Sequence, residues 1–439
     1  MKLWQKDKDS LQEVTRFTTG LDREMDLFLA PYDVLGSLAH IQMLESIGLL
    51  TKEELIKLSA GLKDIYTQIE KGAFRIDDGV EDVHSQVEML LGEIGKKIHS
   101  GRSRNDQVLL DIKLYLRSEI RQVTNLIESF FNLLIQKSEE HKDKLMPGYT
   151  HLQLAMPSSF GLWFGAYAES LVDDVITLQA AYQVVNKNPL GSAAGYGSSF
   201  PLDRKMTTTL LGFDDLNYNV VYAQMGRGKT ERIVASALSN VAATLGKLSM
   251  DACLFLNQNF SFISFPDELT TGSSIMPHKK NPDVFEIIRA RCNQLVALPN
   301  NIAMGTANLP SGYHRDLQLL KEMLFPAIQQ LKQCLQMAHL MISNITVKSN
   351  ILEDGKYKFL FSVEEVNKLV LSGVPFRDAY KQVGRDIEQS KYNPSTTVAH
   401  THVGSIGNLS NDSIVDMMTR VLKTFPFEKI AEKEKALVK

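Results

Sequence analysis

Apolar residues recur every three or four positions along several long stretches of the chain, which is the spacing of one face of an α-helix. Four of these stretches cover residues 158–185, 229–262, 283–298 and 316–345. The longest runs from Gln107 to about Glu140, and its apolar face consists of Val108, Ile112, Leu116, Ile120, Val123, Ile127, Phe130 and Leu134. Most of the stretches exceed the roughly 8–20 residues of an ordinary helix. Together they predict an all-α fold built around a long central helical bundle.

The pattern changes on both sides of this central part. Shorter helical stretches precede it, and one has a marked start, because Thr51 and Glu54 have the spacing of a capping box. After about Ser349 the predicted elements are short again. We therefore predict an N-terminal helical domain (residues 1–106), a central long-helix bundle (107–348) and a small C-terminal helical domain (349–439).

A bundle of this length exposes long apolar stripes when it stands alone. Packing against copies of itself would bury them, and soluble oligomers are mostly symmetric assemblies of one chain. The sequence therefore predicts a homo-oligomer.

Charge and cysteine content narrow the class of protein. The net charge is −3, so the chain has no overall attraction to nucleic acid or to an acidic membrane. Its three cysteines are far apart and form no CxxC pair, which argues against a zinc site or a disulfide framework and favours a reducing compartment. The charged start, MKLWQKDKDSLQEV, lacks the apolar segment of a signal peptide, and no apolar run approaches the roughly 18 residues of a membrane span. These features predict a cytoplasmic protein.

The segment Asp267–Pro282 contains a small polar stretch, Thr270–Ser274, and two lysines just before a predicted helix. Small loops that contain glycine can open and close over a ligand. Lysine charge and the unpaired N–H groups of a helix start, here with Asn281 as the predicted N-cap, together form an anion site. The hydroxyl of Ser273 would then be placed for activation. The alternative is a solvated loop that only caps a helix.

Two further residues have side chains suited to proton transfer. His151 lies in PGYTHLQLAMP (147–157), just before a long predicted helix. Its ordinary pKa lies near physiological pH, although a lone histidine in such a place is more often structural. Glu286 lies one turn into the helix that follows the loop, where a carboxylate also interacts favourably with the helix dipole.

Donor-rich segments occur at two other places. HSGRSRNDQ (99–107) places Arg102, Arg104 and Asn105 before the longest helix, either as a clamp for a carboxylate or as a solvated helix start. LPSGYHRDLQLLKE (309–322) predicts a helix in which Gln318 and Lys321 share one face.

These segments resemble the signatures of one superfamily. GSSIMPHKKNP (272–282) is similar, without a gap, to the GSSxMPxKxNP signature of the fumarase/aspartase superfamily, whose members eliminate across a succinyl group to give fumarate. GRSRNDQ, EDVHSQVE (81–88), APYDVLGSLAH (30–40) and LPSGYHRDLQLLKE are similar to segments of its argininosuccinate lyase branch. The likeness runs to about Glu322 and is loose beyond it.

The resemblance implies a three-domain fumarase/aspartase-like fold and a role for individual residues. Ser273 and His151 would transfer protons, either one acting as the base, with Glu286 orienting His151. Lys279 and Asn281 would hold the carboxylate that gathers charge. The residues implied to contact the substrate are Ser103, Arg104, Asn105, Thr150, Tyr313, Gln318, Lys321 and His84. The resemblance also implies a homotetramer in which three subunits contribute to each active site, without a metal or organic cofactor.

The sequence departs from the family pattern at a few positions. Asp22 stands where the family has a serine that touches the ligand, and an acid there would either bind the guanidinium or the α-amino group of the substrate or perturb binding. Trp4 is followed by QKDK instead of GGRF, and His278 stands where glutamine is common. The residues implied in catalysis are intact.

The predicted reaction is the cleavage of argininosuccinate to arginine and fumarate, as used in arginine biosynthesis. Another fumarate-forming enzyme, such as adenylosuccinate lyase, is the nearest alternative. A non-catalytic homologue, like the lens crystallins derived from this family, is an alternative of a different class.

Overall fold

The computed structural model describes residues 12–439, so the charged start of the chain and Trp4 lie outside the described residues. Helices dominate the described part, which confirms the predicted all-α class. They are α1 (Gln12–Thr19), α2 (Asp22–Ser46), α3 (Lys52–Glu70), α4 (Val83–Leu90), α5 (Arg104–Glu140), α6 (Phe160–Val185), α7 (Arg204–Leu210), α8 (Val220–Met225), α9 (Lys229–Leu256), α10 (Asp283–Gly305), α11 (Leu319–Ser343), α12 (Ser362–Leu371), α13 (Phe376–Glu388), α14 (Asn411–Leu422) and α15 (Phe427–Val438).

In residues 12–439, strands form three small two-stranded pairs. The longest pair is an antiparallel hairpin of β1 (Leu145–Thr150) and β2 (Gln153–Ser159). β3 (Lys187–Asn188) pairs in parallel with β4 (Asp215–Leu216), and β5 (Ile263–Ser264) pairs antiparallel with β6 (Thr346–Val347). Short 3₁₀ helices cover Gly92–Lys97, Asp267–Leu269, Arg315–Gln318, Ile351–Glu353 and Gly355–Phe361.

The central bundle consists of α5, α6, α9, α10 and α11, whose buried faces form one large apolar cluster. All five helices predicted from the apolar pattern are present, with shifted ends. α5 begins at Arg104, because Ser103 and Asp106 form a capping box there. α9 ends at Leu256 and not near residue 262, because the side chain of Asn257 bonds the backbone of Leu254 and Phe260 and turns the chain. α10 continues past residue 298 to Gly305.

The predicted start of α10 is wrong by one residue. Its N-cap is Pro282, which has no side-chain cap. Asn281 instead pairs with Thr271 across the base of the preceding loop, where its N–H donates to the carbonyl oxygen of Thr271 at 2.8 Å. The side chain of Asn281 therefore faces the loop and does not cap the helix.

α2, α3 and α4 enclose a second apolar cluster, which also receives side chains from α7 and α15. The capping box of Thr51 and Glu54 at the start of α3 is confirmed. By length and composition, α2 and α9 would suffice to cross a membrane, but 72% and 50% of their most apolar windows are buried within the fold. α2 also carries the buried polar residues Asp26, Asp33 and His40, which fits a core helix.

α12 and α13 surround a small third cluster. The last two helices pack elsewhere, since Ile414, Met418 and Ile430 join the cluster of the central bundle and Leu437 joins the N-terminal one. The division into three domains at residues 106 and 348 stays a prediction.

Candidate active site

One cleft gathers residues predicted to contact the substrate from four distant parts of the chain. α2, α4, the start of α5 and the region from Tyr313 into α11 meet around it. The predicted residues that line the cleft are Asp22, His84, Arg104, Asn105, Tyr313, Gln318 and Lys321. Segments separated by up to about 300 residues in sequence therefore form one surface, as the sequence motifs predict.

Lys321 is a buried cation of this cleft. Its Nζ lies 2.6 Å from Oδ1 of Asp22 and 2.5 Å from Oδ1 of Asp26. Burial alone would lower the pKa of Lys321, but the two carboxylates raise it above its ordinary value, so the ammonium group stays charged. Asp26 also accepts the backbone N–H of Val83, which joins the start of α4 to α2 and α11.

Lys321 compensates the charge of Asp22 only in part. Burial, together with the nearby charge of Asp26, raises the pKa of Asp22 to about 6, and Lys321 offsets only part of this effect. An acid with a raised pKa beside a ligand cleft is a candidate for contact with a cationic group of the ligand.

The side chains of the Arg315–Gln318 turn close one wall of the cleft. Nε2 of Gln318 donates to the carbonyl oxygens of Thr18 and Thr19 at 3.0 and 3.2 Å, and Arg315 donates to Thr18 at 3.0 Å. These bonds hold the end of α1 against the start of α11, which places Asp22 next to Lys321.

The arginines before α5 have different environments. Arg104 lines the cleft, but its guanidinium already binds Glu81 at 2.8 Å, Asp82 at 3.2 Å and the hydroxyl of Ser85 at 2.7 Å. Arg102 points into the fold and donates to Ser37 at 3.1 Å, so the prediction that it forms part of a carboxylate clamp is wrong. Arg102 lies two residues before α5 and Arg104 is the first residue of the helix, so the two side chains have different surroundings.

Ser103 does not line the cleft. Its hydroxyl accepts the N–H of Asn105 at 3.3 Å, and its own N–H donates to Asp106 at 2.8 Å. Asp106 also accepts the N–H groups of Gly191 and Ala193, so this cap joins the glycine- and serine-rich connection to α5. The side chain of Asn105 is thereby presented to the cleft.

Sequence reasoning missed several residues of the cleft, among them Arg227 and Arg315. Arg227 is buried, and it donates to Glu231 at 3.0 Å and to the carbonyl oxygen of Leu317 at 2.9 Å. The sequence offered one signal for Arg227, namely a glutamate four positions later at the start of α9. Such Arg–Glu pairs are also common on solvated helices, so the signal is not specific.

The loop before α10 is anchored at its base and exposed at its tip. Thr271 and Asn281 pair across the base, and Lys280 forms an ion pair with Asp267. At the tip, Oγ of Ser273 accepts the N–H groups of Ile275 at 3.3 Å and Met276 at 3.1 Å. These two N–H groups, rather than the start of α10, are therefore the donors that favour a negative charge on this oxygen.

His151 lies at the tip of the β1–β2 hairpin, next to Thr150. Thr150 pairs with Gln153, and His151 and Leu152 between them have φ angles of 54° and 58°. Two left-handed residues in a two-residue turn match a type I′ hairpin, where glycine and asparagine are preferred. The backbone thus presents an exposed histidine and an exposed leucine on a strained turn.

The residues predicted to act in catalysis lie outside the cleft of a single chain. Ser273, His151, Lys279 and Glu286 do not line it, and His151, Lys279 and Glu286 are exposed. Among residues 12–439, no hydrogen bond or ion pair joins His151 to Glu286. One chain thus presents the cleft, the His151 hairpin and the loop before α10 as three separate surfaces.

Comparisons with known proteins show what this chain is similar to. A family model described as "Lyase" matches residues 10–297. Argininosuccinate lyase of Parabacteroides distasonis is 64% identical over 441 residues, covering 100% of this chain and 99% of the relative. A structure of an EDDS lyase variant with bound fumarate has a TM-score of 0.78 at 20% identity, covering 98% of this chain and 95% of its own. Class II fumarase from Schistosoma mansoni has a TM-score of 0.70 at 16% identity, covering 93% and 95%.

The two structural likenesses concern the fold, which is that of the fumarase/aspartase class of lyases. Within this class the full-length likeness decides the branch: the chain belongs to the argininosuccinate lyase family.

Proposed function

We propose that this protein cleaves argininosuccinate to arginine and fumarate by β-elimination, as a cytoplasmic enzyme of arginine biosynthesis. We further propose that its active sites are shared between the subunits of a homotetramer. The observation that carries the proposal is the cleft, which collects Asn105, Tyr313, Gln318 and Lys321 together with four acidic residues in one chain.

The proposed elimination needs three kinds of group. A base removes the proton from the succinyl Cβ, an acid protonates the departing guanidino nitrogen, and fixed donors stabilise the carboxylate that gathers charge. Ser273 and His151 are the proton-transfer pair, either one acting as the base, and Glu286 orients His151. Lys279 and Asn281 hold the carboxylate. Each of these steps is carried by a side chain of the protein.

The surroundings of Ser273 support its role. Two backbone N–H groups already bond its oxygen, and donors of this kind stabilise a charged oxygen more strongly than a neutral one. Lys279 is exposed and adds a positive charge to the same loop. Closure of this loop over a bound ligand would bring both groups to the reacting atoms.

The cleft is suited to the arginine part of the substrate. Asp22 and Asp26 attract cationic groups, while Lys321 and Arg227 attract carboxylates. A ligand that carries an ammonium group, a guanidino group and several carboxylates is complementary to such a mixture of charges.

Sharing of sites between subunits is supported by the separation of the three surfaces. The exposed side of the bundle also carries large apolar residues that a tetramer interface would cover, including Ile176, Met250, Ile287, Val296 and Met304. Exposed apolar groups of this size on several helices are typical of an interface between subunits.

The proposed reaction is tested by its product. Purified protein is incubated with argininosuccinate and, separately, with adenylosuccinate, and fumarate is followed by its ultraviolet absorbance. We expect fumarate from argininosuccinate only. Fumarate from adenylosuccinate alone would contradict the proposed substrate, and fumarate from neither would favour a non-catalytic homologue.

A further inference from the structure

Behind the cleft, three buried ionisable groups meet where α2, α4 and α5 pack together. Asp33 comes from α2, His84 from the first turn of α4 and Asp111 from α5, and they are 1%, 8% and 0% exposed. Nδ1 of His84 lies 2.7 Å from Oδ1 of Asp33 and 3.6 Å from Oδ2 of Asp111. The proposed elimination assigns no role to either aspartate.

The hydrogen bonds fix the orientation of the imidazole ring. Oδ1 of Asp33 also accepts Nε2–H of Gln107 at 2.7 Å, so this carboxylate is held from two helices. An ionised carboxylate can only accept, and Nδ1 of His84 must therefore carry the hydrogen between them. Nε2 has no hydrogen-bond partner among residues 12–439, and His84 lines the cleft, so Nε2 is the ring nitrogen left for a ligand.

We propose that Asp33 is a positioning residue that keeps His84 charged, so that Nε2–H of His84 acts as a fixed cationic donor to a carboxylate of the ligand. Asp33 itself does not reach the ligand, because it is buried behind the ring. Its effect on the reaction passes through His84 alone.

The charged groups around the ring support this assignment. Asp33 faces it from α2, Asp82 from the N-cap of α4 and Asp111 from α5, while His99 and Arg102 lie before α5 and Arg104 is its first residue. Burial alone would lower the pKa of His84, but the carboxylates of Asp33, Asp82 and Asp111 raise it to about 9.

Asp111 provides a matched comparison. Burial and the neighbouring charge of Asp33 raise the pKa of Asp111 well above its ordinary value. Neither of its oxygens has a hydrogen-bond partner among the described residues. Asp33 and Asp111 are thus equally buried neighbours of one ring, and only Asp33 is hydrogen-bonded to it.

The proposal is tested by chemical labelling of histidine in the intact, full-length protein. Diethylpyrocarbonate reacts with neutral imidazole and not with imidazolium, and peptide mass spectrometry measures the rate at each histidine. With its pKa at about 9, roughly one His84 ring in a hundred is neutral at pH 7, so labelling should be very slow. The exposed His278 and His402 serve as internal references for reagent activity and for an unchanged fold.

The decisive variant is Asp33→Asn, which keeps the shape and an acceptor oxygen but removes the charge. Since a contacting opposite charge shifts a pKa by about 1–3 units, labelling of His84 at pH 7 should rise on the order of tenfold or more. Asp111→Asn, the control, should raise it much less. Fast labelling in the wild type, no rise in Asp33→Asn, or an equal rise in both variants would overturn the proposal.

The kinetic consequence rests on the proposed function, whereas the labelling does not. In the wild type, kcat/KM for argininosuccinate should fall as the pH rises through about 9, and in Asp33→Asn this fall should begin at lower pH. The effect should appear mainly in KM, because the donor holds the ligand in the ground state. If His84 labels fast in Asp33→Asn but the pH profile of kcat/KM is not shifted, the role of His84 in binding is contradicted.

Discussion

Replacement of Asp22 should make the folded protein more stable and weaken ligand binding. The side chain is 19% exposed, and it shares Lys321 with the more deeply buried Asp26. Its pKa in the folded state is about 6, mainly because of burial, against an ordinary value of 3.8. Ionised Asp22 therefore destabilises the folded protein, and Asp22→Asn should relieve this penalty.

The size and the pH dependence follow from this shift. A difference of about two pH units corresponds to an upper bound of about 3 kcal/mol, because one unit is worth about 1.4 kcal/mol. Loss of one of the two partners of Lys321 will reduce the gain, so we expect about 1–3 kcal/mol. Since the folded-state pKa lies above the unfolded one, the penalty is absent below about pH 4 and complete above about pH 6.

The assay is thermal and urea unfolding of the wild type and Asp22→Asn between pH 4 and pH 8. The variant should match the wild type at pH 4 and exceed it at pH 8, while its KM for argininosuccinate rises. Glu24→Gln, an exposed change on the same helix, should alter neither property. A variant that is less stable than the wild type at pH 8 would refute the reasoning, because the ion pair with Lys321 would then outweigh the cost of burial.

Three other substitutions have clear expected outcomes. Ser273→Ala should lower kcat by roughly 10²–10⁴-fold with little change in Tm, since its oxygen only accepts bonds within the loop; an unchanged kcat would remove Ser273 from the mechanism. Lys321→Met should destabilise the protein by about 3–5 kcal/mol at neutral pH, because two buried carboxylates lose their partner. Urea unfolding measures the loss of stability, and a loss below about 1 kcal/mol would contradict the prediction. Leu152→Asn should raise stability by about 0.5–1 kcal/mol, as asparagine tolerates the left-handed backbone of the hairpin turn; a lower Tm would indicate that Leu152 is needed as an apolar contact.

The long helices were predictable because their apolar faces repeat over many turns. The apolar face of α5 is buried from Ile112 to Leu134, whereas Val108 is only partly buried, and the helix extends over Arg104–Glu140. The ends were less predictable, since they depend on single side chains such as that of Asn257, which turns the chain after α9.

The hairpin that carries His151 was not predicted. Its strands contain two prolines and a register shift between Pro147 and Tyr149, so the alternation typical of a strand is weak in the sequence. The pairing is stabilised by tertiary packing, for example of Tyr149 on Phe260, whose ring centroids lie 5.5 Å apart. Local sequence patterns do not contain such contacts.

The site was predictable where a residue belongs to a motif and not where it acts through burial. Asn105, Gln318 and Lys321 lie together in the cleft, as the motifs imply. Asp33 and Asp111 lie within apolar stretches of α2 and α5, and nothing in the apolar pattern marks them as partners of one histidine. The loop and the hairpin lie outside the cleft of a single chain, and no local pattern in the sequence shows this separation.

The central claim, that one active site draws residues from different subunits, is tested most directly by mixing two inactive variants. Ser273→Ala and His151→Asn are combined in equal amounts, dissociated mildly and reassembled, and fumarate formation from argininosuccinate is measured. If Ser273 and His151 of a site come from different subunits, random reassembly restores about a quarter of the sites, and about a quarter of wild-type activity should return. Each variant, dissociated and reassembled by itself, serves as the control. Reassembled tetramers without activity would show that each site takes both residues from one chain, and would contradict the account.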